Sequence, residues 1–311
     1  MENETLMLWV ERYRQQLEIL NHSARTWPTT RGVLNQFGRF LDEIKLADIG
    51  AITADVLRDY QRWIFYQPTW TGRGRCASGQ NRCLRSVRGF CRFLHEEGVL
   101  GRDPGKEVRY AREPQLLPRN ILTTQEARRV IESADVHTVI GYRDRVILEV
   151  FYATGIRKSE LQNLTLADVN RDEGLLRING GKGAKDRVVP MTEVACTFLE
   201  TYIKGIRSQL LGKCVSNRLF ISMRGRPISA NALDDVMLKY QRLGKVKKHL
   251  TCHVWRHSCA THLIQNKANL RLVQELLGHR SLTSTERYLH LTIADLKEAH
   301  HKHHPREKTG Q

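Results

Sequence analysis

Arg157, Lys182, His253, Arg256, His279 and Tyr288 are the residues of this 311-residue chain whose types and placement point most directly to chemistry. Phosphoryl transfer carried out by side chains needs fixed cations around a pentacoordinate phosphorus, groups that take or give a proton, and a nucleophile. A guanidinium stays charged and forks onto two oxygens, lysine and histidine can release a proton, and a tyrosine hydroxyl can attack. The six residues lie in four islands, each where a helix is expected to stop or a tight turn to form.

In Ala153-Thr154-Gly155-Ile156-Arg157-Lys158-Ser159-Glu160-Leu161 a helix is expected to stop at Gly155 and another to begin near Ser159. Arg157 then sits at a junction, although alone it could simply pair with Glu160 at i+3 and cap the turn. Gly180-Gly181-Lys182-Gly183-Ala184-Lys185-Asp186-Arg187 reads as a basic, glycine-rich hairpin tip. It lacks the spacing of a nucleotide-binding P-loop, yet such a tip can approach a phosphate closely. In Cys252 to His262, helical spacing puts His253, Arg256 and His257 near one face. Taken alone, the two histidines would be read as satisfied core residues. Zinc held by Cys252, His253, His257 or Cys259 is disfavoured, because tetrahedral sites draw on pairs from separated segments and no second pair has the spacing. In Leu276 to His290, Gly278 is the stop signal of one helix and Thr283 with Glu286 forms a capping box for the next. Tyr288 falls in the first turns of that helix, nine residues after His279.

The elements that must position these islands follow from periodicity. Apolar residues recur at helical spacing in Leu6 to Leu20, Val33 to Leu41, Val56 to Phe65 and Leu84 to Leu94, which predicts a small helical domain over residues 1–112. Arg73 to Arg92 contains six arginines and no acid. At about 100° per residue, Arg82, Arg85, Arg88 and Arg92 spread over roughly 120° of a helix, opposite Leu84, Val87, Cys91 and Leu94. That stripe is either a solvated face or a contact for a polyanion. Gly101 to Asn120, with three prolines and no hydrophobic period, reads as linker, and residues 113–121 mark the boundary. The second domain, 122–311, opens with a helix capped by Thr123 and Glu126 and reaching Ala134, followed by a helix over about 140–153. Leu175 to Asn179 and Arg187 to Met191 are expected to be short antiparallel strands around the Lys182 tip, and helices resume after Glu193. The fold class is therefore mainly α with a small antiparallel β-sheet.

Composition narrows the partner. Fifty Lys+Arg against 33 Asp+Glu leave a formal charge of +17, read as the footprint of a polyanion binder in preference to ordinary solubility. Residues 1–115 hold 18 basic and 14 acidic side chains, so most of the excess lies in the second domain. With 41% hydrophobic and 27% charged residues, disordered and fibrous classes are excluded. The most apolar run, Val146 to Ala153, is too short to span a membrane and carries Glu149. An acidic start unlike a signal peptide and seven cysteines without a C-x-x-C pair point to a reducing, cytoplasmic setting.

Through ATGIRKSEL, GGKGAKDRVVPM, HVWRHSCATHL and LLGHRSLTSTERYLH, in that order, residues 118–305 resemble the tyrosine recombinase, or phage integrase, family, in particular its Xer-like site-specific recombinases. The resemblance implies a helical core-binding domain followed by a catalytic domain, acting on duplex DNA recombination sites as a homo-tetramer, with or without a related recombinase. It implies that Tyr288 attacks the scissile phosphate to form a 3′-phosphotyrosyl link, and that Arg157 and Arg256 hold the nonbridging oxygens. Lys182 would protonate the leaving 5′-oxygen, with Lys185 the less favoured lysine, His253 would act as general base or acid, and His279 would hydrogen-bond the phosphate. No metal and no ATP are implied. Candidate DNA contacts are Arg82, Arg85, Arg88, Arg92, Lys185 and Arg187. Trp255 stands where the family commonly has leucine, and Gly180 adds a second glycine before Lys182. The tail from Asp295, with His300, His301, His303 and His304, is read either as a metal-binding tract or as a helix that docks on a neighbouring protomer. Type IB topoisomerase-like relaxation and a non-catalytic DNA-binding regulator are the competing functions.

Overall fold

In the computed structural model, residues 2–22, 24–68, 72, 74–113, 120–179, 186–278 and 293–307 are described. The chain forms two compact units, Met1–Leu116 and Leu117–Gln311. In the first, α1 (Glu2–Ile19), α2 (Trp27–Glu43), α3 (Ala54–Tyr66) and α4 (Ala77–Glu96) enclose an aromatic and aliphatic core. Tyr60 lies edge-on to Phe37, with ring centroids 4.9 Å apart, and Phe40 packs on Trp63 at 5.7 Å. The expected apolar face of α4 is the buried one: Leu84, Val87, Cys91 and Leu94 are fully enclosed. Arg82, Arg85 and Arg92 are exposed on the other side. Arg88 is half-buried, donates to the Val108 carbonyl and lies over the Tyr110 ring.

The stretch read as linker belongs largely to this first unit. Pro104–Glu107 forms a 3-10 turn, and Val108 is 3% exposed. Asn81 exchanges two hydrogen bonds of 2.8 Å with the Ala111 backbone and donates to Glu113. A low hydrophobic period hides this, because the anchor is a buried amide on α4 pairing with backbone rather than an apolar stripe.

The second unit begins at α5 (Thr124–Glu132), where Thr123 and Glu126 form the predicted capping box. The helix ends at Glu132, slightly short of Ala134. Next, α6 (Val139–Thr154) runs through the middle of the unit, and every residue from Arg143 to Thr154 is buried. Its charges survive burial because each has an internal partner. Asp144 takes two bonds from Arg143 and one each from Lys239 and Tyr240. Glu149, fully enclosed, pairs with Arg145 at 2.9 Å and with Arg306. The short α7 (Lys158–Asn163) leads to a sheet of β1 (Val169–Asn170), β2 (Leu175–Ile178) and β3 (Arg187–Pro190), in that order and antiparallel. Leu175 faces Pro190 and Ile178 faces Arg187, as the predicted hairpin requires. The two-residue β1 is too short to carry a readable period. Then come α8 (Glu193–Thr201), a π-helical turn, α9 (Arg207–Leu211), α10 (Ala230–Leu243), α11 (Cys252–Gln265), α12 (Leu270–Leu277) and α13 (Ile293–His303). Among the described residues no helix is long and apolar enough to cross a membrane. The seven cysteines form no disulfide.

Trp255, the departure from the family pattern, is fully buried, lies edge-on to Tyr152 and donates to Met237 Sδ. The tail packs on the last turn of α6 within the same chain. His300 Nε2 donates to the Ala153 carbonyl at 2.6 Å, and His304 Nε2 to the Tyr152 carbonyl at 2.9 Å, with the two rings stacked 4.8 Å apart. Those carbonyls belong to the helix end, where intrahelical partners run out.

Burial pushes the His300 pKa down to about 4 and, with help from His300, holds His304 well below the usual imidazole range. A depressed histidine stabilises the fold fully above its unfolded value near 6.5 and loses that contribution as pH falls toward the folded value. Protection of the α13 amides from hydrogen exchange is therefore expected to drop between pH 7 and pH 5. The loss should be on the order of 2 kcal/mol from His300 alone. The pH dependence should shrink in His300→Gln/His304→Gln, and equal slopes in variant and wild type would refute the assignment.

Candidate functional site

Two helices of the second unit end in left-handed glycines, and the site is built on those ends. Gly155 (φ +59) closes α6 and Gly278 (φ +63) closes α12. Only glycine adopts that conformation without strain, and here there is no room for more. A Cβ on Gly155 would come within 2.7 Å of Leu277 Cδ2, and one on Gly278 within 3.2 Å of the Arg187 side chain. Each end presents carbonyl oxygens and the negative pole of the helix to its surroundings.

Arginines cap these ends. Arg256, 7% exposed on α11, donates from Nη1 to the Gly155 carbonyl (2.8 Å) and from Nη2 to the Leu277 carbonyl (2.6 Å). Arg157, just before α7, reaches the Gly278 carbonyl through Nη2 at 2.9 Å and Glu160 Oε1 through Nη1 at 2.7 Å. Its own backbone N–H donates to Glu160 Oε2 at 2.7 Å. Arg187, at the start of β3, forks onto both Glu160 oxygens at 2.9 and 2.8 Å and donates Nε to the Leu276 carbonyl at 3.1 Å. The i+3 pairing of Arg157 with Glu160 thus exists, but it is one edge of a larger cluster.

The electrostatics follow. Burial works to raise the Glu160 pKa, but the Arg187 fork, the Arg157 N–H and their charges outweigh it and hold the carboxyl at about 2. Burial, then the neighbouring Arg157, brings Arg256 down to about 10, against the pull of Glu160, so it remains a cation at neutral pH. Three guanidiniums and one carboxylate leave a net charge of about +2 in a pocket of low dielectric. Arg157 and Arg256 each commit two of about five N–H donors to acceptors among the described residues.

His253 is exposed on the first turn of α11, and His257 is exposed one turn later. Burial lowers the His257 pKa, with His253 and Arg256 adding to the effect. Neither is the satisfied core histidine that their spacing alone suggests. That description fits His262, which bridges Tyr152 Oη (2.9 Å) and the Leu122 carbonyl (2.8 Å). Among the described residues no group of three or more His, Cys, Asp or Glu side chains gathers as a metal site. Lys182, Lys185, His279 and Tyr288 lie outside the described residues. Sequence reasoning pairs Glu160 only with Arg157. Its link to Arg187, 27 residues away, has no local signal.

Residues 120–294 match the phage integrase family. The chain is 34% identical over 284 residues, 91% of its length and 94% of the relative's, to the tyrosine recombinase XerD of Staphylococcus haemolyticus. In fold it is similar to a lambda integrase dimer bound to a COC′ core site, with 19% identity, a TM-score of 0.66 and coverage of 92% and 99% of the two chains. A lambda integrase tetramer bound to a Holliday junction is similar with 20% identity, a TM-score of 0.64 and coverage of 89% and 75%.

Removing one member of such a buried cluster leaves the others uncompensated. Glu160→Gln is expected to lower the unfolding free energy by about 3 kcal/mol, because the guanidiniums then face each other without their shared anion. Equilibrium urea unfolding measures it, and a change under about 0.5 kcal/mol, the range of ordinary surface substitutions, would contradict the role given to Glu160.

Proposed function

Because the chain belongs to the phage integrase family, we propose that its candidate residues divide a single transesterification among them. The protein is a site-specific DNA recombinase that cleaves and rejoins duplex DNA through a 3′-phosphotyrosyl intermediate. In the proposed division Tyr288 attacks the scissile phosphate, forming the phosphotyrosyl bond as the bond to the 5′-oxygen breaks. Lys182 gives that oxygen its proton, His253 takes or returns the proton of the tyrosine, and His279 hydrogen-bonds the phosphate. Arg157 and Arg256 grip the nonbridging oxygens. The reverse attack by a 5′-hydroxyl from a second duplex restores the backbone, because the phosphotyrosyl link conserves the bond energy.

The observation that carries this reading is the convergence of Arg157 and Arg256 on the ends of α6 and α12 around one saturated carboxylate. A phosphodiester brings one negative charge and a pentacoordinate phosphorane two, so a fixed charge of about +2 favours the transition state over the ground state. The donors are held by backbone carbonyls and need not reorganise as charge develops. We assign residues 1–112 to core binding and 122–311 to catalysis, with Arg82, Arg85, Arg88, Arg92 and Lys185 toward DNA. Of these, Arg82, Arg85 and Arg92 have exposed positions on α4. A homo-tetramer on DNA, with the C-terminal helix docking on a neighbour, and a cytoplasmic setting complete the proposal. A lambda integrase tetramer bound to a Holliday junction is among the fold neighbours.

Incubation with genomic DNA of the source organism, followed by denaturation and recovery of protein-linked fragments, is expected to yield a covalent adduct at one recurrent site with wild type and none with Tyr288→Phe. An adduct in that variant would remove Tyr288 as nucleophile, and relaxation of supercoils without exchange between two sites would favour the topoisomerase reading. Arg157→Ala and Arg256→Ala should bind the mapped site normally yet cleave at least about a hundred-fold more slowly, as for loss of a fixed oxyanion donor. Replacing Arg82, Arg85 and Arg92 together with alanine should flatten the plot of log affinity against log salt by about 0.9 for each phosphate no longer neutralised. An unchanged slope would take the α4 stripe away from the DNA.

A further inference from the structure

The sequence places Arg187 among the candidate DNA contacts. Its side chain is instead 14% exposed and turned inward, with Nε, Nη1 and Nη2 all engaged. We propose that Arg187 is a positioning residue of the recombination reaction, which holds Arg157 in place through Glu160 and ties the base of the Lys182 hairpin to the end of α12.

Glu160 shows why one side chain has this reach. Its two oxygens offer about four lone-pair sites. Oε1 accepts from Arg157 Nη1 and Arg187 Nη1, and Oε2 from the Arg157 backbone and Arg187 Nη2. Arg187 therefore supplies half of the bonds that keep the carboxylate ionised and aimed at Arg157. The third donor, Nε, takes the Leu276 carbonyl, at the end of the helix that precedes His279 in the chain. Arg187 is also the residue paired with Ile178 across the hairpin, so it closes the base of the segment, residues 179–186, that carries Lys182. Gly278 fits between the two arginines: Arg157 holds its carbonyl, and the Arg187 guanidinium occupies the space a Cβ would enter. Three segments that each deliver a proposed catalytic group thus meet on one fork. A lysine would keep the charge but could not hold both Glu160 oxygens and the Leu276 carbonyl in one plane.

The inference rests on the catalytic role given to Arg157, and the test separates the two. Full-length wild type, Arg187→Ala and Arg187→Lys are compared on a nicked duplex carrying the site mapped by adduct recovery. Affinity and single-turnover covalent-complex formation are followed from about pH 8 to about pH 5.5 at saturating protein. Arg187→Ala is expected to bind within about two-fold of wild type and to form the complex roughly ten- to a hundred-fold more slowly, the range for loss of a group that orients a contact residue. Its rate relative to wild type should fall further as pH drops, because Glu160, still buried but missing half its bonds, takes up a proton and releases Arg157. Arg187→Lys should recover part of the rate and all of the pH insensitivity. A variant that binds weakly but cleaves at the wild-type rate when saturated would make Arg187 a DNA contact. A loss of rate that is the same at every pH and in both variants would make it merely structural. A wild type that forms no Tyr288-dependent complex would overturn the functional reading itself.

Discussion

Three guanidiniums gathered within one pocket repel one another, and the second unit is arranged so that they can coexist. The solution is a single enclosed carboxylate, Glu160, together with carbonyls from two helix ends. Each carbonyl carries only a partial charge, so the pocket keeps a positive balance that full counter-ions would cancel. Burial strengthens every contact in the cluster, and it also makes the cluster intolerant of a missing member. Much of the surrounding architecture supports this arrangement: glycines at Gly155 and Gly278, the sharp turn into α7, and β3 aimed across the α12 terminus.

How much of this is legible in the sequence depends on the range of the interactions. Local signals suffice for the Thr123 capping box, the stop at Gly155, the stop at Gly278, the strand pairing that brackets residues 179–186 and the apolar face of α4. Each is set by neighbours within a few residues. Arg157 stands out by its place between two helices and Arg256 by the helical face it shares with His253, and the structure brings both arginines to the same cluster. The same reasoning fails for Arg187, because a lone basic residue beside a basic tip looks solvent-facing until its distant partner is known. It also fails for the histidines. His253 and His257 have the spacing of core residues but lie exposed, while His262, which has no distinguishing pattern, has both ring nitrogens satisfied inside. The Gly101 to Arg112 stretch misleads for a related reason: proline and mixed charge suggest a free connector, whereas Asn81 and Arg88 anchor it to α4 by polar contacts.

The central helix α6 links these observations. Its interior charges are neutralised in pairs, so it can be buried on every side and act as a rigid reference for what packs around it. One end carries the buried Asp144 group shared with α10. The other end distributes its last carbonyls among different owners: Phe151 to the Gly155 N–H, Tyr152 to His304, Ala153 to His300 and Gly155 to Arg256.

That distribution makes the α6 terminus a junction box. The tail histidines and Arg256 draw on neighbouring peptide groups, separated by less than one helical turn. A tail supplied by a second copy would offer the same two imidazoles to the same two oxygens, so exchanging tails between copies leaves the bonding inventory unchanged. Whether a tail is kept or traded would then be decided by local concentration and chain geometry. Protonation works differently, since it places a charge on rings that have no water around them, whichever copy those rings come from. An acidic shift would loosen kept and traded tails alike, and it would do so within one turn of the carbonyl that Arg256 caps.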